Sequence, residues 1–224
     1  MEWWTILSDR HINGSRLTLD DVVARLDATA NGIGRRSNEA AEPAEIEEQN
    51  RNEWVKGDKP LKAAAVLVPL VVREDGLNVL LTKRTDHLKN HAGQISFPGG
   101  RVDDTDRDAL HTALRETEEE LGLPAKHINI IGELDEYIVG TGYLVNPIIG
   151  VIEPPFELNP EENEVAEVFE ASLDYLIAPE NMGTYARDYQ GATRHHFAIT
   201  WEEHFIWGAT AGMLRNLSQR LLSE

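Results

Sequence analysis

Cysteine is absent from the 224 residues of this chain. Without thiols there can be no disulfide framework, no zinc–thiolate site and no cysteine nucleophile. Long apolar runs are missing as well, since no stretch approaches the length of about 20 residues that a bilayer-spanning helix requires. The opening residues, MEWWTILSDRH, lack the basic leader and apolar core of a signal peptide. We therefore expect a soluble, cytoplasmic protein.

Positive charge is also scarce. The chain has 21 Lys and Arg against 39 Asp and Glu, which gives a formal net charge of −18. Nucleic acids and anionic membranes bind through basic surface, so neither is an expected partner. A chain of this length fits one domain with additional segments better than two full domains, and we expect that single domain to be catalytic.

The few basic residues are concentrated in one segment. Residues 83 to 101 are net +3, with Lys83, Arg84, Lys89 and Arg101 against Asp86, and they also contain His87 and His91. The segment could be an ordinary solvated loop. Its position directly before an acidic helix favours a role in anion recognition.

The acidic helix is predicted from Asp106 to Leu121, with Gly122 as its C-cap. One face is apolar, and the last two turns carry Glu116, Glu118, Glu119 and Glu120. Anions at a helix C-terminus each cost roughly 0.3–1 kcal/mol before their mutual repulsion is counted. A bound divalent cation would offset this cost, and carboxylate oxygens suit Mg²⁺ or Mn²⁺.

The remaining pattern predicts a mixed α/β or α+β fold. Residues 17 to 29 form an amphipathic helix with Thr18 as a plausible N-cap, and residues 31 to 59 form a polar, acidic linker or arm. Pro69 suggests a bulge or an edge position in the first strand. Residues 160 to 178 are ambiguous, with an acidic loop and then a short helix capped by Ser172. Strands are predicted over 61–72, 78–84, 94–97, 127–139, 146–154 and 192–201, and a C-terminal helix over 204–222.

The acidic helix resembles the Nudix box. Residues 115 to 123, RETEEELGL, match its second half, whereas Asp106 stands where the box has Glu and the spacer before Arg115 is one residue longer. The upstream stretch LLTKRTDHLKNHAGQISFPGG, residues 80 to 100, is similar to the signature of Nudix coenzyme A pyrophosphatases, with Lys89 in place of Arg. That subgroup shares the longer spacer and the Asp.

The resemblance covers roughly residues 61 to 220 and implies a Nudix-type mixed β-sheet sandwiched between helices. It divides the chain into an N-terminal helix with an acidic arm, residues 1–60, and a Nudix domain, residues 61–224. The N-terminal helix and its acidic arm could also form a homodimer contact, and the sequence does not decide this.

The resemblance also implies roles for individual residues. The metal ligands would be the side chains of Glu116, Glu119 and Glu120, called the box carboxylates below, and the Gly100 carbonyl. Arg115 would orient the site by pairing with Asp106 or Glu119, or would form only a surface pair with Glu119.

The general base and the phosphate contacts are less defined. Glu164 is the preferred general base and Glu162 its alternative, unless both belong to an exposed acidic loop. Arg84, Lys89 and Arg101 would contact the phosphates of the substrate or remain solvated. His87 and His91 are interpreted as surface residues.

The leading hypothesis is a Mg²⁺- or Mn²⁺-dependent hydrolase that cleaves the pyrophosphate of coenzyme A or its thioesters. The products would be adenosine 3′,5′-bisphosphate and 4′-phosphopantetheine or its acyl derivative. One alternative is a Nudix hydrolase for another nucleoside diphosphate derivative, such as ADP-ribose or a dinucleotide. Another is a module that senses a nucleotide without cleaving it, although a pure binder has no need for carboxylates that repel its ligand.

Overall fold

The computed structural model describes residues 16–29, 60–88, 91–189 and 192–222. The helices are α1 (Leu19–Thr29), α2 (Ala109–Leu121), α3 (Leu173–Ile177) and α4 (Ala209–Leu222). The strands are β1 (Lys62–Arg73), β2 (Gly76–Arg84), β3 (Ile95–Ser96), β4 (Gly99–Arg101), β5 (Ile128–Glu133), β6 (Tyr137–Val139), β7 (Tyr143–Ile152), β8 (Val165–Ser172), β9 (Met182–Tyr189), β10 (Ala192–Trp201) and β11 (His204–Trp207). None of the described helices is long and apolar enough to cross a membrane. The predicted arm, residues 31–59, and Lys89 lie outside the described residues.

Eight strands form one mixed sheet. Its central order is β3-β2-β1-β7-β5, with β4 paired to β1, β6 to β7 and β8 to β2. The β1–β7 pair is parallel, and the other pairs within this sheet are antiparallel. Strands β9 to β11 form a separate antiparallel sheet.

The prediction that Pro69 lies at a bulge or in an edge strand was wrong. β1 is an interior strand, and its register with β7 runs unbroken through Pro69. On its other side, β4 pairs with residues 64–66 and β2 with residues 70–73, so Pro69 falls at the junction between two partners. A missing N–H costs little at that junction because neither partner strand pairs with residue 69.

Helices cover both faces of the large sheet, as the fold prediction required. Leu67 and Leu80 pack with Ala113 and Leu121 of α2 in one apolar cluster. Their neighbours Val68 and Leu81 face the opposite way, into a cluster that contains α1, α3 and α4. Burial of alternate residues on opposite faces explains why the β1 sequence is continuously apolar.

Several element predictions were wrong in detail. Residues 127–139 split into two strands, and β8 and β9 were not predicted. Residues 204–207 belong to a strand, so the last helix begins at Ala209. Ser172 does occupy the N-cap position of α3, but its side chain makes no capping hydrogen bond.

Helix α1 packs against α4 on one face of the large sheet. Thr18 and Asp21 form a reciprocal cap, in which the Asp21 N–H donates to Thr18 Oγ1 (3.2 Å) and the Thr18 N–H donates to the Asp21 carboxylate (2.9 Å). Val22 and Leu26 are buried in the cluster that contains α4. Arg220 of α4 donates through Nε to Thr29 Oγ1 (2.7 Å). The boundary drawn between residues 60 and 61 stays a prediction.

We expect Leu26→Ala to lower the free energy of unfolding by about 2–5 kcal/mol, because it leaves a cavity under a side chain that is 3% exposed. Asp27→Ala, at an exposed position of the same helix, should change it by less than about 0.5 kcal/mol. Urea unfolding followed by circular dichroism measures both. An unchanged Leu26→Ala variant would mean that α1 does not unfold cooperatively with the domain.

Candidate active site

Helix α2 begins and ends on local signals. Asp108 is its N-cap and accepts from the His111 N–H at 2.7 Å. Gly122 ends the helix with φ of +64° and donates its N–H to the Glu118 carbonyl, which confirms the predicted C-cap. The start at Ala109, three residues later than predicted, leaves Asp106 in the preceding loop.

Asp106 organises the N-terminal half of this site. Its carboxylate has no exposed surface and accepts from Arg115 Nε (3.0 Å) and Nη2 (2.9 Å). The Thr112 hydroxyl (2.9 Å) and His111 Nδ1 (2.8 Å) complete its partners among these side chains. The guanidinium of Arg115 is the main reason that the pKa of Asp106 lies well below its usual range.

Arg115 connects Asp106 with the metal-ligand candidates. Its Nη1 lies 2.9 Å from Glu116 Oε1 and 2.9 Å from Glu119 Oε2. Both alternatives predicted for Arg115 are therefore present, since it pairs with Asp106 and with Glu119. Its side chain is 22% exposed. Arg115 therefore pairs with two box carboxylates and with Asp106, and not with Glu119 alone.

Glu120 is the most deeply buried box carboxylate. The residue is 5% exposed, and Oε2 has no hydrogen-bond partner within the part of the chain that the structure describes. Oε1 lies 3.4 Å from Arg84 Nη1, and the Gly99 N–H donates to the same carboxylate. Burial nevertheless dominates and raises the pKa of Glu120 to about 7. Burial also raises the pKa of Glu116, against the opposing effect of Arg115.

The FPGG turn brings backbone directly against these carboxylates. A Cβ on Gly99, whose φ is +153°, would lie 2.4 Å from the Ala65 carbonyl oxygen. A Cβ on Gly100 would lie 2.5 Å from Glu116 Cδ. Gly99 requires glycine, because its φ is positive and a Cβ there would meet the backbone of β1. A Cβ on Gly100 would displace the Glu116 carboxylate, so the structure brings Gly100 next to Glu116.

The loop before β8 is held against the end of α2. The Asn159 and Glu161 N–H groups donate to the carbonyls of Leu121 (2.8 Å) and Glu120 (2.9 Å). These bonds satisfy carbonyls that every helix C-terminus leaves without intrahelical donors. Thr85 also holds the loop, because its hydroxyl donates to the Asn163 carbonyl (2.9 Å) and its N–H to the Glu164 carbonyl (3.0 Å).

Glu164 is therefore brought to the site, with Oε2 3.8 Å from Arg84 Nη2 and a side chain that is 49% exposed. Glu162 is exposed and makes none of the described contacts with the box carboxylates. Sequence reasoning missed Thr85, whose partners in this loop, Asn163 and Glu164, lie 78 and 79 residues away along the chain. Only its position after a basic strand end could have drawn attention to it.

The other candidates of the basic segment differ in the groups that they contact. Arg84 lies between Glu120 and Glu164, whereas the exposed Arg101 offers its carbonyl to Arg115 Nη2 at 3.3 Å. His87 Nε2 lies 3.5 Å from Thr85 Oγ1. His91 is exposed and contacts Gln94.

The donor set fits a divalent cation. The three box carboxylates lie on the last two turns of α2, and burial raises the pKa values of two of them, Glu116 and Glu120. Oε2 of Glu120 is a buried acceptor that the described residues leave without a hydrogen-bond partner. Hard oxygen ligands of this kind suit Mg²⁺ or Mn²⁺.

Comparisons with known proteins agree on one family. The NUDIX domain family model matches residues 61–189. A protein of Escherichia coli K12 described as uncharacterized Nudix hydrolase NudL is 41% identical over 163 residues, which cover 71% of this chain and 83% of that protein.

Two solved structures illustrate the structural similarity. RenU, a Nudix hydrolase from M. smegmatis, is 24% identical with a TM-score of 0.42, covering 53% of this chain and 81% of that one. A MutT protein from Methanosarcina mazei is 22% identical with a TM-score of 0.43, covering 55% and 84%.

The raised pKa of Glu120 predicts a pH-dependent stability of the metal-free protein. Between pH 4.5 and about 7 the folded state holds a proton that the unfolded state releases. Stability should therefore fall as pH rises through this window, by roughly 3 kcal/mol in total. Glu120→Gln should remove most of this fall, and Mg²⁺ or Mn²⁺ should stabilise the wild type more at pH 8 than at pH 5.

Denaturant titrations of both proteins between pH 4.5 and 8, with and without metal, measure these differences. The comparison with Glu120→Gln cancels the titration of other groups that both proteins share, such as Asp106. If the free energies of unfolding of the wild type and of Glu120→Gln had the same pH dependence, the assignment of a raised pKa to the buried Glu120 carboxylate would be wrong.

Proposed function

The chain belongs to the Nudix hydrolase family, and we propose that it is a Mg²⁺- or Mn²⁺-dependent pyrophosphohydrolase for coenzyme A or its thioesters. The products would be adenosine 3′,5′-bisphosphate and 4′-phosphopantetheine or its acyl derivative. The observation that carries this proposal is the position of Arg84 between the buried box carboxylate Glu120 and Glu164. A cytoplasmic location and a homodimer contact stay predictions.

The box carboxylates would hold the metal, with the Gly100 carbonyl as a further ligand. When bound, the metal would supply positive charge for the phosphates and lower the pKa of a coordinated water. Two features support this ligand set, namely the unpartnered Glu120 oxygen and the close approach of Gly100 to Glu116. Arg115 would be the positioning residue that holds Glu116 and Glu119 in place.

Arg84 is the proposed phosphate contact. Its guanidinium lies 3.4 Å from a Glu120 oxygen and 3.8 Å from a Glu164 oxygen, and its side chain is 25% exposed. Both distances exceed those of a well-formed charge-assisted hydrogen bond, so the guanidinium keeps donor capacity for an anion. Lys89 and Arg101, which belong to the same basic segment, are proposed as weaker phosphate contacts.

Glu164 is the proposed general base. It is half-exposed, so it can reach a water molecule, and its backbone is held by Thr85 next to the carboxylate cluster. Glu162 remains the alternative, although it is exposed and lacks described contacts with the cluster. Geometry favours Glu164, because a base must lie within hydrogen-bond reach of the proton that it removes.

The substrate class rests on the resemblance of residues 80–100 to the coenzyme A pyrophosphatase signature. In the fold this stretch spans the end of β2, all of β3 and the start of β4, and it supplies both Arg84 and the FPGG turn. A substrate-specific segment would be expected at this position, since its Arg84 and its Gly100 both lie next to box carboxylates. The longer spacer does not prevent contact between Asp106 and Arg115, because the loop before α2 places Asp106 within hydrogen-bond distance of Arg115.

Coenzyme A should be cleaved by the protein in the presence of Mg²⁺ or Mn²⁺, with both products resolved by anion-exchange chromatography and identified by mass. Glu120→Gln should show no cleavage while keeping the circular dichroism spectrum of the wild type. Efficient cleavage of ADP-ribose or a dinucleotide without cleavage of coenzyme A would overturn the substrate class. No cleavage of any of these would favour the nucleotide-sensing module.

Glu164→Gln should lower kcat by about 10²- to 10⁴-fold, because the variant cannot accept a proton from water. Its metal affinity should change little. Glu162→Gln provides the matched control, two residues away in the same loop, and should retain most of the wild-type kcat. The reverse ranking, measured by steady-state kinetics at saturating metal, would assign the base to Glu162.

A further inference from the structure

A second group of potential metal ligands lies at the turn between β10 and β11. Glu202 and Glu203 form this two-residue turn, and Trp201 pairs with His204 across it. Glu202 adopts φ of +51°, an uncommon conformation for a residue other than glycine. Both glutamates are exposed, whereas His204 is only 6% exposed.

His204 is held rigidly from two sides. Its Nε2 lies 2.9 Å from Glu167 Oε1 on β8, and its ring stacks on Phe169 with the ring centroids 3.7 Å apart and the planes 9° apart. An ionised carboxylate can only accept, so Nε2 carries the hydrogen in this pair. In a neutral imidazole the lone pair is then on Nδ1.

Nδ1 of His204 is buried and has no hydrogen-bond partner among the described residues. A buried acceptor without a partner is uncommon in a folded protein and suggests that Nδ1 is a ligand for a further group. One ring nitrogen of His204 and one carboxylate oxygen from each of Glu202 and Glu203 lie within 4.8 Å of one another. Since Glu167 engages Nε2, Nδ1 is the nitrogen available as a ligand.

We propose that Glu202, Glu203 and His204 bind a divalent transition-metal ion, with Zn²⁺ as the representative. Two carboxylate oxygens and one imidazole nitrogen form a mixed N/O set that suits Zn²⁺ and leaves a position for water. Glu167 completes a carboxylate–histidine–metal arrangement, which fixes the tautomer and orientation of the ring.

This site is separate from the box carboxylates. Phe169 packs in the apolar cluster that contains α4, whereas its neighbour Val168 packs in the cluster that contains α2. Glu167 has the same side-chain direction as Phe169, because alternate residues of a strand share a face. The sheet therefore lies between the two sites. A metal here would fasten the β10–β11 hairpin to β8, the strand that follows the Glu164 loop.

The test uses Zn²⁺ and a protein whose box cannot compete for it. The Glu116→Gln/Glu120→Gln variant should still bind one equivalent of Zn²⁺ in equilibrium dialysis with metal analysis. Adding Glu202→Gln/Glu203→Gln should abolish this binding, and both changes are at exposed positions that should not affect folding. Adding Glu153→Gln/Glu157→Gln instead, a matched change at two other exposed glutamates, should leave the binding intact.

Glu167→Gln in the same background tests the role of the residue behind the histidine. It should weaken Zn²⁺ binding by about 10- to 100-fold, because Nε2 loses the carboxylate that orients it. A purely structural role for Glu167 would leave the affinity unchanged. The proposal is overturned if the box-disabled protein binds no Zn²⁺, or if the Glu202→Gln/Glu203→Gln change does not reduce binding.

Discussion

The burial of the Glu120 carboxylate at the end of α2 is the constraint on which the rest of the site depends. A carboxylate that is 5% exposed is unfavourable unless it is compensated, and Arg84 at 3.4 Å compensates only in part. The helix cannot move Glu120 into solvent by withdrawing, because Ala113 and Leu121 of the same helix are completely buried. The packing of α2 against the core therefore keeps the Glu120 carboxylate in a buried position that is unfavourable for a charged group.

The neighbouring elements reduce the remaining cost without removing it. Backbone donors from the 159–161 loop satisfy the last helix carbonyls, so the negative end of the helix dipole is partly offset by N–H groups. The Gly99 N–H likewise donates a hydrogen bond to the Glu120 carboxylate. These donors are fixed by the backbone, and none of them reaches Oε2. The fold therefore leaves one acceptor for a cation.

The sequence predicted those features that depend on local spacing. The extent of α2 to Leu121, the Gly122 cap and the pairing of Arg115 follow from residues less than ten positions apart, and periodicity reveals such relations. Contacts between distant residues were not predictable in this way. Strand β8 was missed because its acidic residues suggested a loop, yet Glu170 pairs with Arg73 and Glu167 with His204 from other elements.

Charge balance links metal binding to substrate binding in the proposed site. Arg115 pairs with Asp106, Glu116 and Glu119, and Arg84 pairs with Glu120 and Glu164. Among these described side chains the carboxylates outnumber the guanidiniums, which leaves a surplus of negative charge. A pyrophosphate brought into this surplus of negative charge would be repelled unless cations arrived with it. Each ligand should consequently raise the affinity of the other, and by linkage the two effects must be equal. This reciprocity explains why a site that recognises anions can be built on the acidic end of a helix.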